Sequence, residues 1–197
     1  MPLYSPTYPP APHRKVMFFI DGENIVSRYQ AMLKKGSIPK QPDCFFHEQD
    51  IYLWRPLNGI PDEPQYQNEF IRAYYYTSVT GDDVKFNAVF NSLKKIVTLA
   101  AKSQTLYPVL LKKDRKEIKA KGVDIQMTVD ILSHVFQNNV DTVCLFSGDG
   151  DYVPVVREVI SRGKKIFIGA FSDGFNSYLK QLADEIIDLD LIYFEQL

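Results

Sequence analysis

Acidic residues occupy three places in this 197-residue sequence where a divalent cation could bind. Asp21 directly follows the apolar run 16–20, Asp124 opens a segment with helical periodicity, and Asp149 and Asp151 lie in a glycine-rich turn. Carboxylates that converge repel one another unless some are protonated or a cation is present. Oxygen ligands without a paired His or Cys favour Mg²⁺ or Mn²⁺ over zinc. A cation of this kind polarises a phosphate and lowers the pKa of a bound water, as phosphodiester hydrolysis requires.

Each acid also has a purely structural interpretation. Asp21-Gly22 is a common turn pair, and Asp124 could serve as a helix N-cap. Asp149 and Asp151 could simply form the turn in which they lie. Each of these structural interpretations accounts for its own acid alone. The joint placement of the acids at strand and helix ends favours a functional site.

Alternating strand and helix patterns predict the sheet that would bring these acids together. Strands are predicted at 16–20, 70–77, 107–111, 142–146, 166–170 and 186–189, and helices at 24–33, from 82, from about 124, at 152–162 and at 172–184. This alternation indicates an α/β fold with a mostly parallel sheet and helices on both faces. Ligand sites in such folds lie at the carboxyl ends of the strands, where the chain order reverses.

Apolar spacing predicts which helix faces are buried. The helix from about residue 124 is expected to bury Ile125, Val129, Leu132 and Phe136. The helix opened by Asp82 and Asp83 is expected to bury Val84, Val89, Phe90, Leu93, Val97 and Ala101. In the aromatic strand, Tyr74 and Tyr76 should share one face and Tyr75 the other, so we interpret them as core residues rather than a base-stacking surface.

Composition indicates one folded domain. Length and the 45% share of apolar residues suit a single core, and the net charge of −1 provides no global basic field. We predict a Pro/Tyr-rich tail at 1–14, a domain at 15–197 and an insertion at about 37–68.

The sequence also predicts a location. No apolar segment is long enough to span a bilayer. Cys44 and Cys144 lie far apart and lack the spacing of a metal site, which favours a reducing compartment, and we expect a cytoplasmic location. The sequence is compatible with a homodimer but has no feature that fixes one.

Four segments together carry a family resemblance: FFIDGENI, KGVDIQMTVDIL, LFSGDGDYVPVVREVISRGKKIFIGAF and SYLKQLADEIIDL. In this order they resemble the NYN domain of the LabA-like group, within the PIN-like nuclease superfamily. The resemblance is strongest over 16–27 and 119–190, whereas 37–68 departs from the compact form of the family. It implies a Rossmann-like sheet, a Mg²⁺ or Mn²⁺ site and ribonuclease activity.

The resemblance also assigns residues. By motif it implies a catalytic set of Asp21 and Asn24 from DGEN, Asp124 from KGVD, and Asp149 and Asp151 from SGDGD. Asp21, Asp124 and Asp149 would face the metal, and Asp151 would lie in its outer shell or at a second ion. Asn24 would position a water or a phosphate oxygen.

Two further assignments concern the substrate. Ser147 from SGDGD would hydrogen-bond phosphate or metal-bound water, while Glu23 receives no role and is expected to face solvent. The basic segment 112–121 leads into Asp124, and its Lys119 and Lys121 are predicted to hold the RNA backbone. A solvated loop is the alternative for this segment.

These observations predict a metal-dependent ribonuclease that hydrolyses RNA phosphodiester bonds. One alternative is a non-catalytic PIN-like module that binds RNA or protein through the same crevice. A phosphatase or nucleotide hydrolase with Asp21 as nucleophile is disfavoured. That class normally places a second acid two residues after the nucleophile, and here position 23 is the Glu of the DGEN motif. His13, His47 and His134 have no mutual spacing typical of a ligand set.

Overall fold

The computed structural model describes residues 12–40, 45–48, 51–54, 67–96, 106–113 and 121–196. For 45–48, 51–54, Gln67 and Lys121 it describes the backbone alone. The strands are β1 (His13–Asp21), β2 (Phe45–Glu48), β3 (Ile51–Trp54), β4 (Gln67–Val79), β5 (Leu106–Lys112), β6 (Thr142–Phe146), β7 (Lys165–Ala170) and β8 (Glu185–Asp188). The helices are α1 (Gly22–Lys34), α2 (Asp83–Lys94), α3 (Lys121–Phe136), α4 (Val153–Ser161), α5 (Ser177–Leu182) and α6 (Leu189–Tyr193), with a 3₁₀ turn at Gly150–Tyr152.

Six strands form one sheet in the order β5-β4-β1-β6-β7-β8, and every neighbouring pair is parallel. The predicted α/β fold with a parallel sheet is confirmed. From β1 the chain proceeds through β4 to β5 on one side, and from β6 through β7 to β8 on the other. The chain order therefore reverses between β1 and β6, which is where a parallel sheet opens a crevice for a ligand.

Helices cover both faces of the sheet, as predicted. Alternation along β1 places Phe18 and Ile20 in a core with residues of α1, α2 and α6. Met17 and Phe19 point to the opposite face, into a core with residues of α3, α4 and α5. A strand buried on both faces must be apolar throughout, which explains the continuous apolar run before Asp21.

The predicted buried face of α3 is wrong. The residues that α3 buries are Val123, Met127, Ile131 and Val135. Ile125, Val129 and Phe136 are 64%, 51% and 54% exposed, and Leu132 is partly buried. The sequence of this helix carries two neighbouring apolar stripes, and only packing against the sheet selects between them.

Several boundaries differ from the predictions. β1 begins at His13, within the segment expected to be a tail, and the neighbouring Arg14 is buried. Strands β2 and β3 pair as an antiparallel hairpin inside the expected insertion. Helix α5 begins only at Ser177 because Asn176 caps it, and α6 was not predicted.

In α2, Val89 and Leu93 are buried as predicted, whereas Val84 is exposed. Tyr75 and Tyr76 are fully buried in opposite cores, in agreement with the predicted alternation.

Some predictions fall outside the described residues. They concern the tail at 1–11, Cys44, Lys119, and Val97 with Ala101. Among the helices that the structure describes, none combines the length and the apolar character needed to cross a membrane.

Candidate functional site

Asp21 joins the end of β1 to the start of α1. Its Oδ1 accepts the backbone N–H of Asn24 at 3.0 Å, so Asp21 is the N-cap of the helix. The predicted turn at Asp21-Gly22 is wrong, because Gly22 is already helical. A Cβ at Gly22 would lie 2.5 Å from the ring of Tyr75, so glycine allows the helix to begin directly above the buried tyrosine.

Hydrogen bonds tie the end of β1 to the end of β6. Ser147 donates its hydroxyl to Asp21 Oδ2 at 3.1 Å and accepts the N–H of Asp149 at 3.2 Å. Asn24 Oδ1 accepts the N–H of Gly148 at 3.1 Å. Ser147 is fully buried, so its hydroxyl lies behind Asp21 rather than facing open space. The side chains that the sequence assigned to a site at the sheet edge are therefore connected to one another.

The glycine-rich turn after β6 orients Asp149. Its Oδ1 accepts the N–H of Asp151 at 3.0 Å and caps the 3₁₀ turn. Gly150 lies so close to the N-cap of α5 that an added Cβ would be 2.4 Å from Asn176 Nδ2. Asp151 itself is exposed.

Asp124 lies in the first turn of α3 and is half-buried. Its Oδ1 accepts the hydroxyl of Tyr152 at 3.0 Å. Tyr152 is only 1% exposed, so its ring position is fixed by the core and its hydroxyl holds the carboxylate in one direction. Because α3 begins at Lys121, Asp124 is not the N-cap of that helix.

Glu23 belongs to the site, contrary to the expectation that it would face solvent. Its Oε1 accepts the backbone N–H of Ser78 at 3.1 Å and also the Ser78 hydroxyl. Ser78 lies near the carboxyl end of β4, beside β1. The position of Glu23 in the first turn of a helix that starts at the sheet edge is the sequence signal that could have placed it here.

A cavity of about 370 Å³ opens among these side chains. It is lined by Asp21, Glu23, Asn24, Ser27, Arg28, Val123, Asp124 and Asp149. Ser147 and Asp151 do not line it, and the side chain of Lys121 lies outside the described residues. Three of the predicted acids thus meet around one space, together with Glu23.

Burial and neighbouring charges raise the pKa values of Asp21 and Asp124. Burial raises the pKa of Asp21 to about 7, and the charges of Asp124 and Glu23 add to the rise, while hydrogen bonds from Asn24 and Ser147 oppose it.

The pKa of Asp124 is likewise raised, first by burial and then by the charges of Asp149, Asp151 and Glu23. The hydrogen bond from Tyr152 lowers it in part. Within the described part of the chain, none of the acids that line the cavity is ion-paired with Lys or Arg.

The chemistry of the side chains fits a hard divalent cation. Their donors are carboxylate oxygens, each with lone pairs beyond those used by the observed hydrogen bonds. Among the described residues, however, no three Asp, Glu, His or Cys side chains lie close enough to form a ready-made ligand set. Binding an ion would therefore require the carboxylates to move toward one another, which their mutual repulsion opposes until the ion is present.

Comparisons with known proteins agree on the fold and family. A family model described as the NYN domain matches residues 15–190. A crystal structure of a protein of unknown function, VPA0982 from Vibrio parahaemolyticus, superposes with a TM-score of 0.56 at 20% identity, covering 92% of this chain and 96% of that chain. This similarity shows a shared α/β fold and nothing of the reaction.

A sequence relative is the uncharacterized protein MJ0482 of Methanocaldococcus jannaschii. It is 36% identical over 73 residues, which is 37% of this chain and 30% of that protein. The chain therefore matches less than a third of that relative's length.

Proposed function

We propose that this chain, which belongs to the NYN domain family and so to the PIN-like nuclease superfamily, is a ribonuclease that depends on a divalent metal. The observation that carries the proposal is the buried carboxylate of Asp21 at the switch point of the parallel sheet. There it shares a cavity with Glu23, Asp124 and Asp149, and no described Lys or Arg forms an ion pair with these acids. The LabA-like group remains our proposal for its place within the family.

Asp21, Asp124 and Asp149 would hold Mg²⁺ or Mn²⁺. When bound, the ion would supply polarisation of the scissile phosphate and a more acidic water. Its charge would also offset the burial and the repulsion that raise the pKa values of Asp21 and Asp124. Glu23 is a fourth carboxylate of the same cavity and is available to a second ion or to its water.

The surrounding side chains keep the carboxylates oriented. Ser147 holds Asp21 and Tyr152 holds Asp124 through donated hydroxyl groups. Asn24 uses its Oδ1 on Gly148, which leaves the amide nitrogen as the group that would donate to water or to a phosphate oxygen. Asp151 would act through the charge that it places near Asp124 and through its N–H bond to Asp149.

RNA as the substrate is supported by the family and by the basic segment 112–121. Lys119 and Lys121 remain our proposed contacts for the RNA backbone, as in the sequence prediction. Because the net charge of the chain is −1, any affinity for RNA must come from such local groups.

The test is cleavage of labelled single-stranded and structured RNA with Mn²⁺, Mg²⁺ or EDTA. The wild-type protein is compared with Asp149→Asn and with the matched variant Asp141→Asn at the opposite end of the sheet. Since a bound metal stabilises the transition state by several kcal/mol, we expect Asp149→Asn to lower the cleavage rate roughly 1000-fold. Asp141→Asn should cleave like the wild type.

Two results would contradict the proposal. Cleavage that persists in EDTA or in Asp149→Asn would point to a contaminating nuclease or to a site elsewhere. Intact RNA under every condition, together with measurable binding, would favour the non-catalytic RNA-binding module instead.

A further inference from the structure

Arg28 is a cation at the wall of an otherwise acidic cavity. It lies on α1, four residues after Asn24, so the two side chains share one helix face. Of the described residues that line the cavity, Arg28 is the only basic one, beside Asp21, Glu23, Asp124 and Asp149. Its side chain is 41% exposed, which leaves the guanidinium accessible to a ligand that enters the cavity.

The loop after β7 sets the position of this guanidinium. Arg28 Nη1 lies 3.6 Å from Asp173 Oδ2. The next residue, Gly174, has φ +73°, and a Cβ there would lie 2.3 Å from Arg28 Cζ. The positive φ favours glycine at 174, and a larger residue there would displace the end of the Arg28 side chain, so Asp173 and Gly174 together border the guanidinium.

The contact with Asp173 leaves Arg28 available to a second negatively charged partner. Lys35 donates to the same carboxylate more closely than Arg28 does. A single carboxylate is therefore shared between two cations. Arg28, at 3.6 Å, lies beyond ordinary hydrogen-bond distance and keeps its donors for another partner.

A negatively charged substrate needs such a group here. A phosphodiester that approaches the carboxylates meets repulsion unless a cation offsets it. A planar guanidinium can form two parallel hydrogen bonds to one phosphate, which gives orientation as well as attraction.

We infer that Arg28 binds a backbone phosphate of the RNA substrate at the wall of the acidic cavity. This inference rests on the proposed function, and it adds a substrate-binding residue that the sequence motifs did not indicate. The competing interpretation is that Arg28 only ties α1 to the loop after β7 through Asp173. In that case its loss would lower stability without a specific effect on RNA.

The experiment measures binding rather than cleavage, so it does not depend on the reaction. A fluorescently labelled single-stranded RNA is titrated with the protein in a buffer that contains Ca²⁺, at several salt concentrations. A gel shows that the RNA remains intact. The variants are Arg28→Ala, Arg28→Lys, Asp173→Asn and Lys35→Ala. Lys35→Ala is the matched control, because it removes the other cation of Asp173 without changing the cavity wall.

We expect Arg28→Ala to weaken binding about tenfold, as for the loss of a charged hydrogen bond. The salt slope should fall by about 0.7, as for one lost phosphate contact on a single strand. Arg28→Lys should keep the slope and recover part of the affinity. Lys35→Ala and Asp173→Asn should bind much like the wild type. Thermal unfolding of each variant shows whether a loss of binding is only a loss of fold.

Other outcomes overturn the inference. If Arg28→Ala binds like the wild type while the wild type cleaves RNA, Arg28 is not a phosphate contact and the ribonuclease proposal stands. If Asp173→Asn loses as much affinity as Arg28→Ala, the ion pair and not the guanidinium contact is responsible. If the wild type binds no RNA, the inference is wrong, and absence of cleavage as well would remove the proposed function.

Discussion

The two ends of the parallel sheet stabilise their acidic side chains in different ways. At the amino ends, Asp141 forms an ion pair with Lys164 at 3.3 Å. Asp184 accepts the N–H of Ile166 at 2.8 Å and pairs with Lys165 at 3.3 Å. Each of these carboxylates has a cation beside it, and each ties two segments of the chain together.

At the carboxyl ends, the four acids that line the cavity have uncharged hydrogen-bond partners, unlike Asp173 in the loop after β7, which pairs with Lys35 and Arg28. Asp21 is held by Ser147 and by a backbone N–H, and Asp124 is held by a tyrosine hydroxyl. Glu23 and Asp149 are likewise held by hydroxyl or backbone N–H donors. Hydrogen bonds of this kind orient a carboxylate without cancelling its charge. The difference indicates that the ion-paired acids stabilise the fold, whereas the acids that line the cavity are available to bind a cation.

The largest effect that this comparison predicts is a dependence of the free energy of unfolding on pH. The pKa of Asp21 is about 7 in the folded protein and ordinarily 3.8. Below pH 3.8 the carboxyl is protonated in both states and carries no penalty. Between these values the folded state binds more protons, so the free energy of unfolding falls as pH rises, by about 1.4 kcal/mol per unit. Above pH 7 the ionisation of buried Asp21 lowers the free energy of unfolding by its full amount.

Chemical denaturation in EDTA from about pH 4.5 to about pH 8, which covers most of the range between the two pKa values, would measure this slope. Asp21→Asn should flatten it, leaving the smaller part that the raised pKa of Asp124 contributes. Asp141→Asn should keep the wild-type slope. A wild-type slope of zero would mean that Asp21 is not held as a strained, buried carboxylate.

A smaller effect is expected from Tyr152→Phe. The substitution keeps the buried ring and removes the hydrogen bond to Asp124, so the carboxylate loses its fixed direction. Groups that orient metal ligands typically contribute about tenfold or more to affinity, and we expect that loss for Mn²⁺. The control is Tyr76→Phe, which removes a hydroxyl from Asp130 on the same helix. Equal Mn²⁺ affinities in calorimetry for both variants would show that Asp124 is not a ligand.

The smallest effect is expected at the amino ends. Lys164→Ala removes the ion pair with Asp141 and should cost about 1 kcal/mol of unfolding free energy, because such pairs contribute little. Mn²⁺ affinity should not change. A change in metal affinity measured in the same preparation would break the proposed separation between the two ends of the sheet.

Much of the fold was predictable because strands buried on both faces leave a strong local pattern. The run before Asp21 and the run 142–146 were placed correctly, and they define the switch point of the sheet. The buried face of α3 was not predictable from the sequence alone, since Ile125 and Val123 begin competing apolar stripes. Their choice depends on where the helix meets the sheet.

The site was predictable in part for a similar reason. Asp21, Asp124 and Asp149 follow from strand and helix ends, and the structure brings them around one cavity. Glu23 was missed although its place in the first turn of α1 is a sequence signal for the sheet edge, whereas its contact with Ser78 in the neighbouring strand β4 has no such signal. Arg28 was missed because its neighbours Asp173 and Gly174 lie far along the chain. Contacts between distant segments leave no spacing for a sequence pattern to show.

The most direct test of the central claim is the Mn²⁺ affinity of three folded proteins, measured by calorimetry at pH 7.5. These are the wild type, Asp21→Asn and Asp141→Asn. We expect the wild type and Asp141→Asn to bind Mn²⁺ alike, and Asp21→Asn to bind it at least about tenfold more weakly, as for loss of a metal-site interaction. Equal affinity in all three proteins, or no Mn²⁺ binding by the wild type, would contradict the claim that the carboxyl-end acids form a metal site.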